Sequence, residues 1–465
     1  MAKRIFLDIT DEKSGVTGTC QLLDVHFPKK VYSGKSIYTN NIPFMLDCGT
    51  FQGEDNSEEL NKSFHLNMKS PEFAILTHGH LDHYGRFPLA IKKGFYAPIF
   101  TTYITKTFID KVFLDDCLNI EKKKSKKLDL PMLYAESEAN QFRSCMIGCQ
   151  YNKKISYSNN ISIYFFENGH VPGAAVTLIH IECLGYEEIN IVCTGDYNST
   201  NMFFKVNSLP SWVYELPNVT MITESTYGNK SIKDLRPDSF IRNIVNALES
   251  GKIVIIPTFA FGRAQEVAYT LRNAQTSGEL NPKFSIYHDG KTGIDCTNLF
   301  LSDTFPMYPS CRSFLPTNHH FIEDKRMRRE IFNNPSPKIL YSSSGMGNYG
   351  TSKFYIDNSI DNPNALIHAV GYLSPLSKLG KLKRSTCNAE ICDTDKFSAH
   401  AKKEDLIAFI RPFRNVKSIL VTHGEPNVKQ EFANELLEEF NVRVGILSSK
   451  STYRITSDGI VACFL

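Results

Sequence analysis

Residues 75–88 read ILTHGHLDHYGRFP, and His78 to His83 crowd three histidines and an aspartate into six positions. Imidazole and carboxylate groups this close together are costly to desolvate unless a ligand binds them. Zinc is the natural occupant, because it takes about four ligands drawn from His, Cys and Asp/Glu. His78 and His80 can point the same way from a short turn across Gly79. Asp82 and His83 follow at once and can face a second position. One ion cannot readily use all four donors at this spacing, so two adjacent ions are expected. A lone histidine is usually a core or surface residue. Three in six positions, directly after an apolar run, are not explained that way.

Working outward from this stretch, a pattern repeats. Short β-branched apolar runs end abruptly in a polar or glycine-rich turn: EFAILTH at His78, ISIYFFENGH at His170, NIVCTGD at Asp196, NVTMITES at Glu224 and KSILVTH at His423. Such runs read as strands buried on both faces. In layered α/β folds ligands gather beyond strand ends, where loops meet over a rigid sheet. Five strand ends offering metal-type or acid/base side chains point to one shared site. Taken singly, each of these residues has a bland alternative as a cap or surface group. His170 and Asp196 each follow a glycine, and His423 precedes one, which suits sharp turns at the ligands.

Between the runs lie helical patterns. FIRNIVNALES (240–250) follows Pro237 and Asp238, which suit a helix start. AQEVAYTLRNAQ, KKEDLIAFIRPF and KQEFANELLEEF also have helical spacing. In the last, Phe432, Leu436, Leu437 and Phe440 are expected to form one core-facing stripe. Ser398 in SAHAKKEDL is a candidate cap for the helix after His400. Basic clusters at 119–131 (NIEKKKSKKLDLP), at Lys325, Arg326, Arg328 and Arg329, and at Lys378, Lys381, Lys383 and Arg384 are expected to be solvated faces rather than phosphate contacts.

The 465 residues allow two or three domains, and 42% hydrophobic residues suffice for large cores. A net charge of +3 does not by itself announce a polyanion partner. The N-terminal MAKRIFLDITDEK has no apolar core of a signal peptide, and no run of about 18 apolar residues offers a membrane span. A cytoplasmic location without membrane association is therefore expected. The twelve cysteines contain no C-x-x-C pair and read as reduced, mostly buried thiols. Cys145 and Cys149, taken as one helical turn apart, lack the neighbours for a zinc site.

The ordered motifs resemble the metallo-β-lactamase superfamily and, within it, the β-CASP nucleases. Asp47 in FMLDCGTFQG, then THGHLDH, His170 and Asp196 are similar to the superfamily series. Glu224 in ESTYGN, His400 in FSAHA and His423 in VTHGE are similar to the three β-CASP additions, and PTFAFGRAQEV (257–267) and SSSGM (342–346) to further family stretches. The resemblance implies an αββα sandwich of residues 1–208 and 391–465 with an inserted α/β β-CASP domain at 209–390. It implies that His78, His80 and His170 hold one zinc, that Asp82, His83 and His423 hold the other, and that Asp196 bridges them. Manganese is the alternative ion. Asp47 would orient the ligand loop without touching metal. Histidine at position 423 matches the RNA-processing branch, where the DNA-repair branch typically has valine. Two stretches depart from the family: IYHDGKTG (286–293), expected to be a polar turn, and GYLSPLSKLGKLKR (371–384), an unusual version of a glycine-rich family segment.

The function so implied is zinc-dependent hydrolysis of RNA phosphodiesters, of the compact endoribonuclease type, leaving 5′-phosphate and 3′-hydroxyl ends. Two ions lower the pKa of a water toward about 7 and offset charge at phosphorus. His400, held by Glu224, is the candidate acid for the leaving oxygen, with Asp82 also counted in the catalytic set. Ser342, Ser343, Ser344 and Gly345 are candidates for contact with a backbone phosphate. RNA is the expected partner, and a homodimer is an assembly the resemblance allows. The alternatives are a 5′-exoribonuclease, a DNA nuclease, a small-molecule metallohydrolase, and a non-catalytic RNA-binding subunit.

Overall fold

A computed structural model describes residues 4–12, 15–52, 56–371, 373, 377–449 and 451–464. The chain forms two compact units. The first comprises Met1–Asn201, Val206–Lys233 and His400–Leu465, and the second Met202–Lys205 and Asp234–Ala399.

The first unit holds two sheets. An eight-stranded sheet runs in the order Gly459–Phe464, Thr452–Thr456, Phe6–Asp11, Gln21–Tyr32, Tyr38–Leu46, Ala74–Ile75, Ile99–Thr102, Met146–Cys149. A seven-stranded sheet runs Arg443–Ile446, Val416–Val421, Val219–Thr223, Ile189–Cys193, Ala175–Ile181, Ile161–Glu167, Ile155–Ser156. Leu7, Val25, Phe44 and Ile75 of the first sheet share one buried cluster with Ile163, Ile179, Ile191 and Leu420 of the second. Each such fully buried side chain contributes about 1.5–3 kcal/mol. On the far side of the second sheet, Leu178, Val192, Met221 and Ile419 pack with Leu406, Ile410, Phe432 and Leu436 of helices Lys403–Ile410 and Pro426–Phe440. Helices Phe87–Lys92, Tyr103–Phe108 and Glu136–Cys145 supply the remaining layer, with Phe87 stacked on Phe142. The result is an αββα sandwich.

Strand Val219–Thr223 pairs in parallel with Ile189–Cys193 on one side and Val416–Val421 on the other. This pairing ties residues 206–233 to the sandwich. Apart from the short excursion at Met202–Lys205, the chain leaves the first unit after Lys233 and returns at His400.

The second unit is a six-stranded parallel sheet in the order His319–Ile322, Ser285–Asp289, Lys338–Ser342, Ile253–Pro257, Ala365–Val370, Glu390–Thr394. Its central strands, such as IVIIP and KILYS, are buried throughout, as parallel strands covered on both faces must be. Helix Phe240–Glu249 begins after Asp238, whose Oδ1 accepts the Phe240 amide at 3.0 Å.

Several local expectations are corrected. Phe432 and Leu436 are buried, but Leu437 is 51% exposed, because adjacent helical positions diverge by about 100°. The stripe is 432, 436, 440. The stretch 286–293 is a strand end running into helix Lys291–Leu301, not a polar turn. Its Asp289 is buried, receives Arg328 Nε at 2.5 Å and Nη2 at 2.9 Å, and accepts the Tyr355 hydroxyl at 2.6 Å. That pairing removes Arg328 from the solvated cluster. Cys145 closes a helix and Cys149 ends a strand, so they are not one helical turn apart. Helix Lys403–Ile410 has Lys402, not Ser398, at its N-cap. Of the stretch 371–384, positions 372 and 374–376 lie outside the described residues. Ser377 caps helix Lys378–Leu382 by accepting the Gly380 amide. Among the described residues no helix is long and apolar enough to cross a membrane.

Candidate metal centre

The strand Ala74–Ile75 delivers His78, and helix Leu81–Tyr84 then presents Asp82 and His83 in its single turn. His80 stands at the N-cap, its carbonyl accepting the His83 amide at 2.9 Å. The other donors come from the second sheet. His170 follows Ile161–Glu167, Asp196 follows Ile189–Cys193, and His423 follows Val416–Val421. The backbone solves each turn differently. Gly195 is left-handed (φ 57°), which spares a side chain the strain. Gly169 is needed for space, since a Cβ there would lie 2.3 Å from the Thr200 carbonyl oxygen. At the third turn His423 itself is left-handed (φ 45°), not the glycine after it. A histidine held this way carries strain that the surrounding structure must hold in place.

Among the described residues the donors form three groups, two of them sharing Asp196 and the third, Glu224, His400 and His423, sharing His423 with the second. His78, His80, His170 and Asp196 make the first, and Asp82, His83, Asp196 and His423 the second. Within each group the ligand atoms all lie within 4.8 Å of one another. Asp196 divides its carboxylate between them. Oδ2 lies 3.6 Å from both His78 Nε2 and His170 Nε2. Oδ1 lies 3.3 Å from His83 Nε2 and 3.4 Å from His423 Nε2. His80 Nδ1 is 3.2 Å from His78 Nε2 and 2.9 Å from His170 Nε2, and Asp82 Oδ2 is 3.7 Å from His423 Nε2.

These spacings fit metal ions. Ligand atoms about 2.1 Å from a tetrahedral zinc lie about 3.4 Å from one another. The second group also leaves His83 Nε2, His423 Nε2 and Asp196 Oδ1 buried without a hydrogen-bond partner, an arrangement that a bound cation would satisfy.

The electrostatics agree. Burial holds the His80 imidazole down at about 4. Burial, helped by His83, holds His78 well below the ordinary histidine range. Both rings are neutral and offer lone pairs. Burial pushes the Asp196 carboxyl up, but the His423 and His83 imidazoles outweigh it and hold the group well below the carboxylate range. Burial pushes His83 down, yet Asp196 and Asp47 draw a proton onto it. A pocket that draws a proton to its donors would draw a cation in its place.

Outside the donor groups, Asp47 receives the Thr77 amide at 2.7 Å and hydroxyl at 2.8 Å, and its Oδ2 lies 2.7 Å from His83 Nδ1. This contact holds the His83 ring by Nδ1 and leaves Nε2 toward Asp196. His400 Nδ1 lies 2.9 and 2.8 Å from the two Glu224 oxygens, which raise its pKa against the lowering effect of burial. Glu224 is itself held by the amides of Tyr197 and Thr226.

Three supporting residues were not singled out from the sequence. Thr77 Oγ1 lies 3.1 Å from His78 Nδ1, and Thr226 Oγ1 2.9 Å from His423 Nδ1. Asn168 Oδ1 accepts the His170 amide at 3.0 Å, while its Nδ2 donates to the carbonyls of Thr194 and Asp196. Each lies within two residues of Glu224 or a metal-type histidine, which is the only signal they leave in the sequence.

Ser342, Ser343, Ser344 and Gly345 belong to the second unit, at the end of strand Lys338–Ser342. The Ser342 and Ser344 side chains are buried, and the Ser344 hydroxyl donates to the Tyr349 carbonyl at 3.1 Å. Ser343 is the partly exposed member.

Comparison with known proteins decides the family. Residues 264–378 match the Beta-Casp domain, and residues 386–447 match the Zn-dependent metallo-hydrolase RNA specificity domain. The chain is a β-CASP protein. Its relatives include transcription termination factor FttA of Methanosarcina mazei, 26% identical over 91% of this chain and 70% of the relative. Probable RNase MJ4 of Methanocaldococcus jannaschii is 27% identical over 84% of this chain and 89% of the relative. Ribonuclease TTHA0252 of Thermus thermophilus is 24% identical over 82% and 87%.

In this β-CASP protein the ligand loop leans on Gly49, where a Cβ would lie 1.5 Å from the Asp82 carbonyl oxygen. Gly49→Ala must displace backbone, not a flexible side-chain end. It is expected to destabilise the fold by at least about 1–3 kcal/mol and to lower bound zinc. Denaturant unfolding and metal analysis of the same sample check this, and an unchanged zinc content would count against the loop placement.

Proposed function

We propose that this chain is a two-metal ribonuclease that cuts RNA internally. The observation that carries the reading is Asp196, whose two oxygens each face a separate set of metal-type donors. The match to an RNA specificity domain and the names of two relatives, a ribonuclease and a probable RNase, favour RNA as substrate.

His78, His80, His170 and Asp196 would hold one zinc, and Asp82, His83, His423 and Asp196 the other. Bound there, the ions would supply Lewis acidity that favours ionised water and offsets charge at the phosphate. The protein does the rest. Asp47, Thr77, Thr226 and Asn168 fix the donors in place, so little reorganisation accompanies reaction. His400 keeps Nδ1 on Glu224 and turns Nε2 toward the pocket, 4.0 Å from Asp196 Oδ2. From Nε2 it would deliver a proton to the leaving 3′-oxygen. Hydroxide oxygen joins phosphorus, the bond from phosphorus to the 3′-oxygen breaks, and the products carry 5′-phosphate and 3′-hydroxyl ends. Ser343, the partly exposed member of the serine turn, is the one of the four suited to a backbone phosphate.

The test uses one RNA labelled separately at each end, with a DNA of the same sequence beside it. Internal fragments from both labels, formed from RNA, support the proposal. Mononucleotides released progressively from the 5′ end would make the chain an exonuclease, and cleavage of the DNA alone would reject RNA as substrate. Dialysis against a chelator is expected to abolish cleavage and lower the melting temperature, because ligand binding stabilises the native state. Zinc should restore both, with two ions per chain by metal analysis. Full activity in chelator would refute metal dependence.

A further inference from the structure

The helix that presents Asp82 and His83, Leu81–Tyr84, is a single turn. A turn this short does not hold itself, because nucleation costs more than its first hydrogen bond returns and its last carbonyls have no partner within it. Another segment receives them. The Leu81 carbonyl accepts the Thr50 amide and hydroxyl, each at 3.0 Å, and the His83 carbonyl accepts the Cys48 amide at 2.7 Å. Between these contacts Gly49 packs on the Asp82 carbonyl, which accepts the Thr19 amide at 3.1 Å. Residues 48–50 thus form a strap across the ligand helix, and the place of the strap sets the place of the helix.

One side chain holds the strap. The Cys48 carbonyl accepts the Arg86 amide at 2.9 Å, and the Gly49 carbonyl accepts Arg86 Nε at 2.7 Å. Arg86 is only 1% exposed. Its guanidinium lies 4.6 Å from the centre of the Phe51 ring and 4.5 Å from that of Phe64. Nη1 donates to the Ser63 carbonyl at 3.2 Å and stands 3.7 Å from Glu12 Oε1. Glu12 in turn accepts the amides of His65 and Leu66 at 2.8 and 2.9 Å. Arginine is almost never buried this far unless paired, and apolar side chains of similar volume often replace a buried ion pair without loss of stability. What they do not supply is a directed donor to one chosen carbonyl. The planar guanidinium, packed by two rings, supplies it.

We propose that Arg86 is a positioning residue for the second donor group. Through the Gly49 carbonyl it fixes the 48–50 strap, and through the strap it aims Asp82 and His83. The first group depends on it less, since His78 and His170 leave strands of the two sheets. The inference rests on the two-metal reading and names what sets the affinity of the second ion.

The experiment measures stepwise zinc affinities of the full chain by competition with a chromophoric chelator, and records the visible spectrum with cobalt loaded in place of zinc. Arg86→Lys keeps the charge and loses the planar fork; Arg86→Met loses both. Each is expected to weaken the second ion by about 10–100-fold, the usual loss for a group that orients ligands. The first ion should bind as in the wild type, and the cobalt spectrum should change. RNA cleavage should fall in step and return at excess zinc. Glu12→Gln removes the counter-charge and leaves the Gly49 bond, so it should lower the melting temperature with both affinities kept. Wild-type affinities and cobalt spectrum in both Arg86 variants overturn the positioning role. Equal weakening of both ions overturns it too, because a merely structural residue would give that result. Wild-type protein that binds a single ion overturns the two-metal reading beneath it. If neither Arg86 variant folds, Thr50→Val tests the strap at a partly exposed position, by removing the hydroxyl bond to Leu81. A weakened second ion there supports the proposal, and an unchanged one overturns it.

Discussion

Asp196→Ala is expected to bring bound zinc below one ion per chain and to leave no measurable RNA cleavage. Asp196 is the one carboxylate among the described residues that belongs to both donor groups, with Oδ2 toward His78 and His170 and Oδ1 toward His83 and His423. Its removal takes a ligand from each ion and also the negative charge that tempers repulsion between two close cations. Asp82→Ala is the informative comparison, because Asp82 belongs only to the second group. That variant should keep about one ion and still lose cleavage, since in-line displacement at phosphorus uses both. Metal analysis and turnover on the same samples, with circular dichroism to establish folding, decide the matter. Equal metal loss from the two variants would contradict the shared position of Asp196. Folded, metal-free Asp196→Ala protein with wild-type turnover would end the two-metal mechanism.

His400→Ala should behave in the opposite way. His400 lies outside both groups around Asp196, and its Nδ1 is committed to Glu224. Zinc content is therefore expected to stay at the wild-type level while kcat falls by about 10²–10⁴, the usual loss for a missing general acid. Glu224→Gln should lose a comparable factor, because an amide no longer favours the proton-bearing imidazole that Glu224 orients. A second substrate separates this role from mere support. A thymidine 5′-phosphodiester with a p-nitrophenolate leaving group needs no proton on departure, so His400→Ala should lose far less on it than on RNA. An equal loss on both substrates would show that His400 does not protonate the leaving oxygen.

The metal-type donors were legible because each ends a strand, and a strand end leaves a local mark: a continuous apolar run, then a turn. His78, His170, Asp196 and His423 all carry that mark; the runs by themselves give a layered α/β fold, and the αββα class came from the family resemblance. The supporting threonines carry no such mark, since Thr77 and Thr226 look like any β-branched residue near a strand end. Helix ends were misplaced where the local signal was ambiguous. Ser398 is a good cap by type, yet the helix begins past it at Lys403, because the preceding segment is held elsewhere, with the Ala401 amide bonded to the Tyr197 carbonyl. The stretch 286–293 looked like a turn because His288 and Asp289 are polar. Burial of Asp289 is made good by Arg328 and Tyr355, 39 and 66 residues further along the chain.

By itself, then, the sequence determined the order of the metal-type side chains along the chain, their places at the ends of apolar runs, and that the chain contains enough apolar strand to build large sheets. The tertiary structure alone decided how the two Asp196 oxygens divide between the donor groups, and that His423 rather than its glycine takes the left-handed turn. The reason is physical. Spacing along a chain reports contacts over a few residues, whereas His423 reaches Thr226 and Asp196 because Val219–Thr223 pairs with Val416–Val421 across nearly two hundred residues. The orientation of Asp196 between the donor groups is fixed by that long-range pairing, and no local pattern encodes it.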